Sequence, residues 1–309
     1  MRSYFFLTLQ NYVAIYMSYS IDQFSKITGI NKLVLRTWEN RYDFLKAERS
    51  KTNIRSYSDD LLIKALNTKL LLDNGYKISF ISIQNEEDID IIIKKIKDNI
   101  DVGNFSSYYV NQLIKSALQF NANLFDRVYK ECLEHYSVVD FYKEILLPTF
   151  SKIGLFWLTK RINPAQEHFL SEMFKQKIYK HIDDIDKKNS KSPTWLLFLP
   201  PNEHHEIGLL FSRFLLLKYG FYVIYLGANV PFDAIEQMSE IKKIDNVLFF
   251  SISNLSKHYI SQTLNILDDN FQNSHCYLVT NSIENVVDLK KSKVKLINNI
   301  DHFIKMISR

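Results

Sequence analysis

Apolar positions along this chain follow two rhythms, and the change between them falls near residue 190. Residues 105–121, 123–136, 139–157 and 164–187 mix apolar and polar positions at helical spacing, with short joints. That pattern predicts a four-helix bundle. Beyond it, short apolar runs at 195–199, 222–226, 246–252, 275–280 and 293–297 read as strands. Helical stretches at 206–219, 232–241, 257–270, 283–289 and 300–308 separate them. Strands alternating with helices imply a parallel, doubly wound, Rossmann-like (flavodoxin-like) sheet whose ligand loops lie at the C-terminal strand ends.

The N-terminal segment is helical with sharper punctuation. Ser20-Ile21-Asp22-Gln23 is a capping box that starts a helix running to Thr28, and Gly29 makes the turn. A second helix runs from the N-cap Asn31 to Arg41, so the pair predicts a helix-turn-helix. Arg36, Trp38, Glu39 and Arg41 lie within two turns of that second helix, a mixture suited to phosphates and base edges. Lys46, Arg49, Lys51 and Arg55 follow within ten residues, flanked by Phe44, Leu45, Ile54 and Tyr57. This predicts a short hairpin whose cationic tip reaches a DNA backbone. Trp38 and Tyr57 suit core packing of a small domain equally well. Ser58 caps a further helix ending at Asn74-Gly75, residues 79–83 form a short turn, and a linking helix runs from 85 to about 97.

Length and composition narrow the class. A chain of 309 residues exceeds one small core, and we divide it into an extension (1–16), a winged segment (17–98), a helical segment (99–189) and the sheet segment (190–309). Gly 7 and Pro 6 argue against long flexible linkers or a turn-rich all-β architecture, and the well-separated Cys132 and Cys276 make neither a disulfide framework nor a Cys-rich metal site. The expected location is cytoplasmic. No apolar run reaches a membrane span. The net charge of +5 requires any nucleic-acid surface to be local. Residues 1–16 resemble a signal peptide faintly, but lack a small-residue cleavage site and are interrupted by Gln10 and Asn11. They read as an upstream extension or a misassigned start ahead of Met17.

The densest chemistry follows the first strand of the sheet segment. Glu203-x-His205-x-x-Gly208 pairs an imidazole with a carboxylate two residues away. A neutral imidazole is a good transition-metal ligand, and a carboxylate can hold its other nitrogen. Gly208 lets a bulky group approach the helix start. The bland alternative is two histidines, His204 and His205, on a surface loop. In the helical segment Trp157 is followed by Glu167-His168 just after Pro164, which is by itself a weak pocket signal. Neither GxGxxG nor GxxxxGK occurs, which disfavours nicotinamide and nucleoside-triphosphate chemistry, and no enzyme activity is expected.

LRTWENRY, TNIRSYS and LLLDNGYKIS stand in the order and spacing of the MerR family, whose winged helix-turn-helix residues 19–79 resemble from end to end. The resemblance implies DNA-facing or wing positions for Arg36, Trp38, Arg41, Arg55 and Tyr57, and double-stranded operator DNA as partner, while Arg49 and Lys51 join the expected DNA contacts as cations of the hairpin. The absence of a cysteine cluster disfavours the metal-responsive branch. The line from ILLPTF to SEMF resembles the helical cap of cobalamin-binding light sensors of the CarH and LitR type. This implies that Trp157, Glu167 and His168 cover the upper face of a corrin. His205, with YLGANVP downstream, resembles domains holding cobalamin base-off, with His205 as lower cobalt ligand and Ser251 near the nucleotide tail. Two departures stand out. Ser251-Ile252-Ser253 replaces Ser-x-Leu, and Thr280-Asn281 replaces a Gly-Gly that makes room for the tail. The resemblance implies a repressor that assembles as a dimer or tetramer, controlled by adenosylcobalamin (or methylcobalamin) and by light. A cofactor-free regulator of the same fold and a corrinoid methyl-carrier or mutase subunit are the alternatives.

Overall fold

The computed structural model describes residues 18–99, 105–158, 164–185, 193–253, 257–280 and 292–308, without the side chains of 97–99, 155–158 and 257–258. The chain divides into two compact units, one ending at Leu170 and the other starting at Ser171.

In the first unit β1 (Ser18–Tyr19) leads into α1 (Ile21–Thr28) and α2 (Lys32–Tyr42). The capping box closes in both directions: the Ser20 amide donates to Gln23 Oε1 at 2.8 Å and the Gln23 amide to the Ser20 hydroxyl at 3.4 Å. Gly29 ends α1 at φ +71°, where a Cβ is disfavoured. Asn31 caps α2 by accepting from the Leu33 amide at 2.8 Å. The wing consists of β2 (Glu48–Arg49) and β3 (Arg55–Ser58), antiparallel, with Arg49 opposite Arg55. β1 pairs with the other edge of β3, giving the order β1-β3-β2. The two-residue β1 is too short to show a period in the sequence. Ser58 caps α3 (Asp59–Asp73), and the chain turns at Gly75 (φ +86°). The expected short turn at 79–83 is a helical turn, α4 (Ile78–Ile81), and α5 (Glu86–Asn99) is the linking helix.

The helical segment follows with α6 (Ser106–Leu118) and α7 (Ala122–Leu133). A third helix then combines α8 (Val138–Phe141), a π-helical turn at Tyr142–Leu146 and α9 (Leu147–Leu158). In that turn the Leu147 amide bonds the Tyr142 carbonyl, directly before Pro148, which has no amide hydrogen for the ladder. α10 (Pro164–Asp183) completes the set, and the division between the units falls inside it. The winged segment is held to the bundle by a polar chain. Asn111 Nδ2 donates to the Leu66 carbonyl on α3 at 3.3 Å, and Lys152 Nζ on α9 donates to Asn111 Oδ1 at 3.1 Å. Burial holds the Lys152 ammonium below its ordinary pKa.

The sheet unit runs β4 (Thr194–Phe198), α11 (Glu206–Lys218), β5 (Tyr222–Gly227), α12 (Phe232–Ile241), β6 (Asn246–Ser251), α13 (Lys257–Asn270), β7 (His275–Thr280), β8 (Lys295–Leu296) and α14 (Ile300–Ile307). The helix expected at 283–289 lies outside the described residues. The strands are parallel in the order β5-β4-β6-β7-β8, a 2-1-3-4-5 winding. Both central strands are fully buried, as their unbroken apolar runs require. Leu196, Phe198, Val247, Phe249, Leu267 and Leu278 form part of one core, with Phe198 and Phe249 stacked at 5.7 Å. Strand order reverses between β4 and β6, so the crevice that receives ligands in such sheets opens at their C-terminal ends. No helix among the described residues is long and apolar enough to cross a membrane.

Candidate functional site

The winged segment sorts its basic and aromatic residues into different jobs. Leu35, Trp38 and Glu39 form the buried face of α2, whereas Arg36 and Arg41 are exposed. Trp38 packs at 6.3 Å from Phe44, and Tyr57 is fully buried, stacked on Phe24 at 4.1 Å. These two expected DNA contacts are therefore corrected, since both rings build the core and offer no face to a groove. Glu39 Oε2 accepts from Arg55 Nε at 2.7 Å, and Oε1 accepts from Arg49 at 3.1 Å. Burial alone would raise the Glu39 pKa, but the bonds from Arg55 and Arg49 outweigh it and hold the carboxyl below its ordinary value. Arg55 thus fastens the wing to α2, and Arg49, more exposed, also bonds Asn53 Oδ1 at 2.9 Å. Lys51 stands exposed at the wing tip, where Asn53 takes φ +62°. Of the expected DNA contacts, Arg36, Arg41 and Lys51 stand exposed, with Arg49 exposed in part.

At the crevice of the sheet unit, the fully buried Glu203 carboxylate receives six hydrogen bonds, three on each oxygen. Oε1 accepts from the His204 amide (2.9 Å) and the His205 amide (3.0 Å), and meets His205 Nδ1 at 2.6 Å. Oε2 accepts from the Ile252 amide (2.8 Å), the Ser253 amide (2.8 Å) and the Ser253 hydroxyl (2.9 Å). Burial would raise this pKa, but the His205 ring and the Ser253 and His205 amides hold it well below the usual carboxylate range. The loops after β4 and β6 are thereby joined at the topological switch point. A third loop joins them, because the Asn229 amide donates to the Glu203 carbonyl at 3.1 Å and Asn229 Oδ1 accepts from the Asn202 amide at 2.9 Å. The His205 side chain, 60% exposed, is presented outward with Nδ1 held, so coordination would go through Nε2.

Other expected residues take definite places. Ser251, at the end of β6, pairs in register with Thr280 at the end of β7. The Ser251 hydroxyl is buried without a hydrogen-bond partner among the described residues. Asn281 lies outside them. A Cβ on Gly208 would stand 2.7 Å from Phe250 Cε1, so the space beside this glycine is filled by a side chain of the protein itself. Two features escaped the sequence reading. Ser253, noted only as a departure, is a Glu203 donor. Glu206, the residue after His205, accepts from Tyr225 Oη at 2.9 Å and Lys175 Nζ at 3.3 Å, while Arg213 lies 5.1 Å from the Tyr225 ring. Their partners lie 19 to 50 residues away, beyond any local motif.

Comparison with known proteins joins the two halves of this description. Residues 19–83 match the MerR HTH family regulatory protein, and residues 109–180 match the B12 binding domain. The HTH-type transcriptional repressor CarH of Myxococcus xanthus is 24% identical over 217 residues, covering 69% of this chain and 72% of that protein. The repressor CarA of the same organism is 26% identical over 223 residues, covering 71% and 72%. The chain is a MerR-type regulator with a B12-binding domain, related to CarH and CarA. Its fold is shared by the monomethylamine corrinoid protein of Methanosarcina barkeri, with a TM-score of 0.52 at 14% identity over 63% of this chain and 94% of that one.

In this MerR-type regulator the B12-domain match covers α6 to most of α10, the part that carries Trp157, Glu167 and His168. Trp157 lies in the last turn of α9, with its side chain outside those described, and Glu167 and His168 lie in the opening turns of α10. Glu167 is half-buried and His168 exposed. Glu203, His205, Gly208, Ser251 and Thr280 belong to the sheet unit, downstream of that match.

Proposed function

We propose that this chain represses transcription by binding operator DNA, and that a cobalamin held by His205 controls that binding. Adenosylcobalamin is the preferred form, methylcobalamin the other, and light is the proposed signal. The observation that carries the reading is the Glu203–His205 pair at the β4/β6 switch point: an outward imidazole whose Nδ1 is fixed by a buried, six-bonded carboxylate. A ring held this way would offer Nε2 to a metal. The unpartnered Ser251 hydroxyl supports the tail side of the same site, since a buried polar atom without a partner calls for a ligand or water.

In this reading Glu203 fixes the tautomer of His205, while Ser251, Thr280 and Asn281 meet the nucleotide tail. Gly208 and Phe250 wall the helix start, and Trp157, Glu167 and His168 of the helical segment are proposed to cover a face of the corrin. When bound, adenosylcobalamin supplies a cobalt–carbon bond that green light breaks. The regulator's part is to hold one packing of the helical segment while that face is filled, and another when it is not. Self-association as a dimer or tetramer would multiply DNA-binding heads, and losing it would lower avidity steeply.

The test is purification with adenosylcobalamin in the dark, absorption spectra before and after green light, and band shifts on the chain's own promoter at several salt concentrations. Retained corrinoid, a light-dependent spectrum and light-released DNA are expected, with His205→Ala losing the dark-state spectrum. An absence of corrinoid with His205→Ala behaving as wild type would overturn the cofactor assignment.

A further inference from the structure

Leu33, Arg36, Thr37 and Asn40 form the exposed ridge of α2, at i, i+3, i+4 and i+7, opposite the buried Leu35, Trp38 and Glu39. Two side chains here are out of place on a merely solvated face. Leu33 is 68% exposed and its neighbour Val34 38%. Thr37 donates its hydroxyl to the Leu33 carbonyl at 2.8 Å, so it offers outward a methyl group and no donor. The three are exposed, donor-free apolar groups in the N-terminal half of a helix that also exposes the cations Arg36 and Arg41.

Scattered exposed apolar residues are ordinary. Exposed apolar groups that share one face of a helix-turn-helix's second helix with cations are a narrower case. In the major groove the apolar feature is the thymine 5-methyl group, and the N-terminal residues of a recognition helix are those that meet base edges. A second copy of the chain fits less well, because a two-fold contact through this face would bring together the cations Arg36 and Arg41 of both copies. We propose that Leu33 and Val34, with the Thr37 methyl, read thymine methyl groups in the operator's major groove. Sequence preference then rests on apolar contact, while Arg36, Arg41 and Lys51 hold phosphates or neighbouring bases. The inference rests on the chain being a DNA-binding regulator and adds what that regulator reads.

The experiment uses the full chain, with adenosylcobalamin in the dark and without it. Footprinting locates the site on the chain's own promoter, and thymines within it are replaced one at a time by deoxyuridine, which lacks only the methyl group. One buried methyl is worth about 0.8 kcal/mol, or roughly fourfold in Kd, so about fourfold weaker binding is expected at each contacted thymine. Leu33→Ala and Val34→Ala should abolish that sensitivity and leave affinity for unrelated duplex unchanged. Wild-type binding indifferent to every replacement, or a double variant that keeps the sensitivity, would overturn the inference while leaving the regulator intact. A change in oligomer mass on Leu33→Ala, with thymine sensitivity retained, would make the patch a contact between copies and overturn it as well. Failure to bind any duplex would remove the DNA-binding reading and this inference together.

Discussion

Glu203 and His205 are two residues apart, and a reader of the chain can pair them by spacing alone. The other half of the carboxylate's environment comes from Ile252 and Ser253, which reach it only because β4 and β6 lie side by side. Six donors on one buried carboxylate mean that an amide in its place would turn a donor toward donors. Glu203→Gln should therefore lose about 2–4 kcal/mol, against about 1 kcal/mol for Ser253→Ala, both read from urea midpoints. The aromatic residues show the opposite limit. Trp38 and Tyr57 sit among cations in the sequence, and composition cannot tell a ring that stacks on a base from one that stacks on Phe24. Their truncation to alanine should cost about 3–5 kcal/mol of stability. Arg36→Ala should leave stability within about 0.5 kcal/mol and weaken DNA binding.

At the level of elements, caps and turns were legible because their chemistry is local: Ser20 with Gln23, Asn31, Ser58 and Gly29 all stand where their signals predict. The two-residue β1 and the π-helical turn before Pro148 were not, since neither leaves a period behind. The clasp between α2 and the wing was also hidden, its carboxylate and its cations being ten and sixteen residues apart. Because the folded-state pKa of Glu39 lies below its ordinary 4.5, its contribution is complete above that value and is lost as pH falls through the folded pKa. Melting temperature followed downward from pH 6 should drop more steeply for the wild type than for Glu39→Gln once below about pH 4.5. The seat of α11 on β6 gives a second expectation. Gly208→Ala, whose Cβ would meet Phe250, should destabilise by about 1–3 kcal/mol, and Phe250→Leu in the same chain should recover part of that loss.

For the molecule as a whole, the change of rhythm near residue 190 announced an α/β sheet after an all-helical stretch, and strand order then located the crevice. Nothing in the sequence announced the Asn111 bond to Leu66, which spans 45 residues and puts the winged segment and the bundle into one compact unit. Calorimetry should resolve one transition for that unit and another for the sheet unit. Asn111→Leu, which deprives the half-buried Lys152 of its acceptor, should lower the first by about 1–3 kcal/mol and leave the second in place. The Glu39 clasp matters here too. With Arg49 and Arg55 of the wing both fastened to α2, each head, on the proposed DNA-binding reading, would work as a fixed-gauge caliper whose jaws cannot slide independently. One base pair inserted between the bases under α2 and the backbone under the wing displaces the second jaw by about 3.4 Å along the strand. An operator altered in that way should bind no better than one from which the wing's contact has been removed.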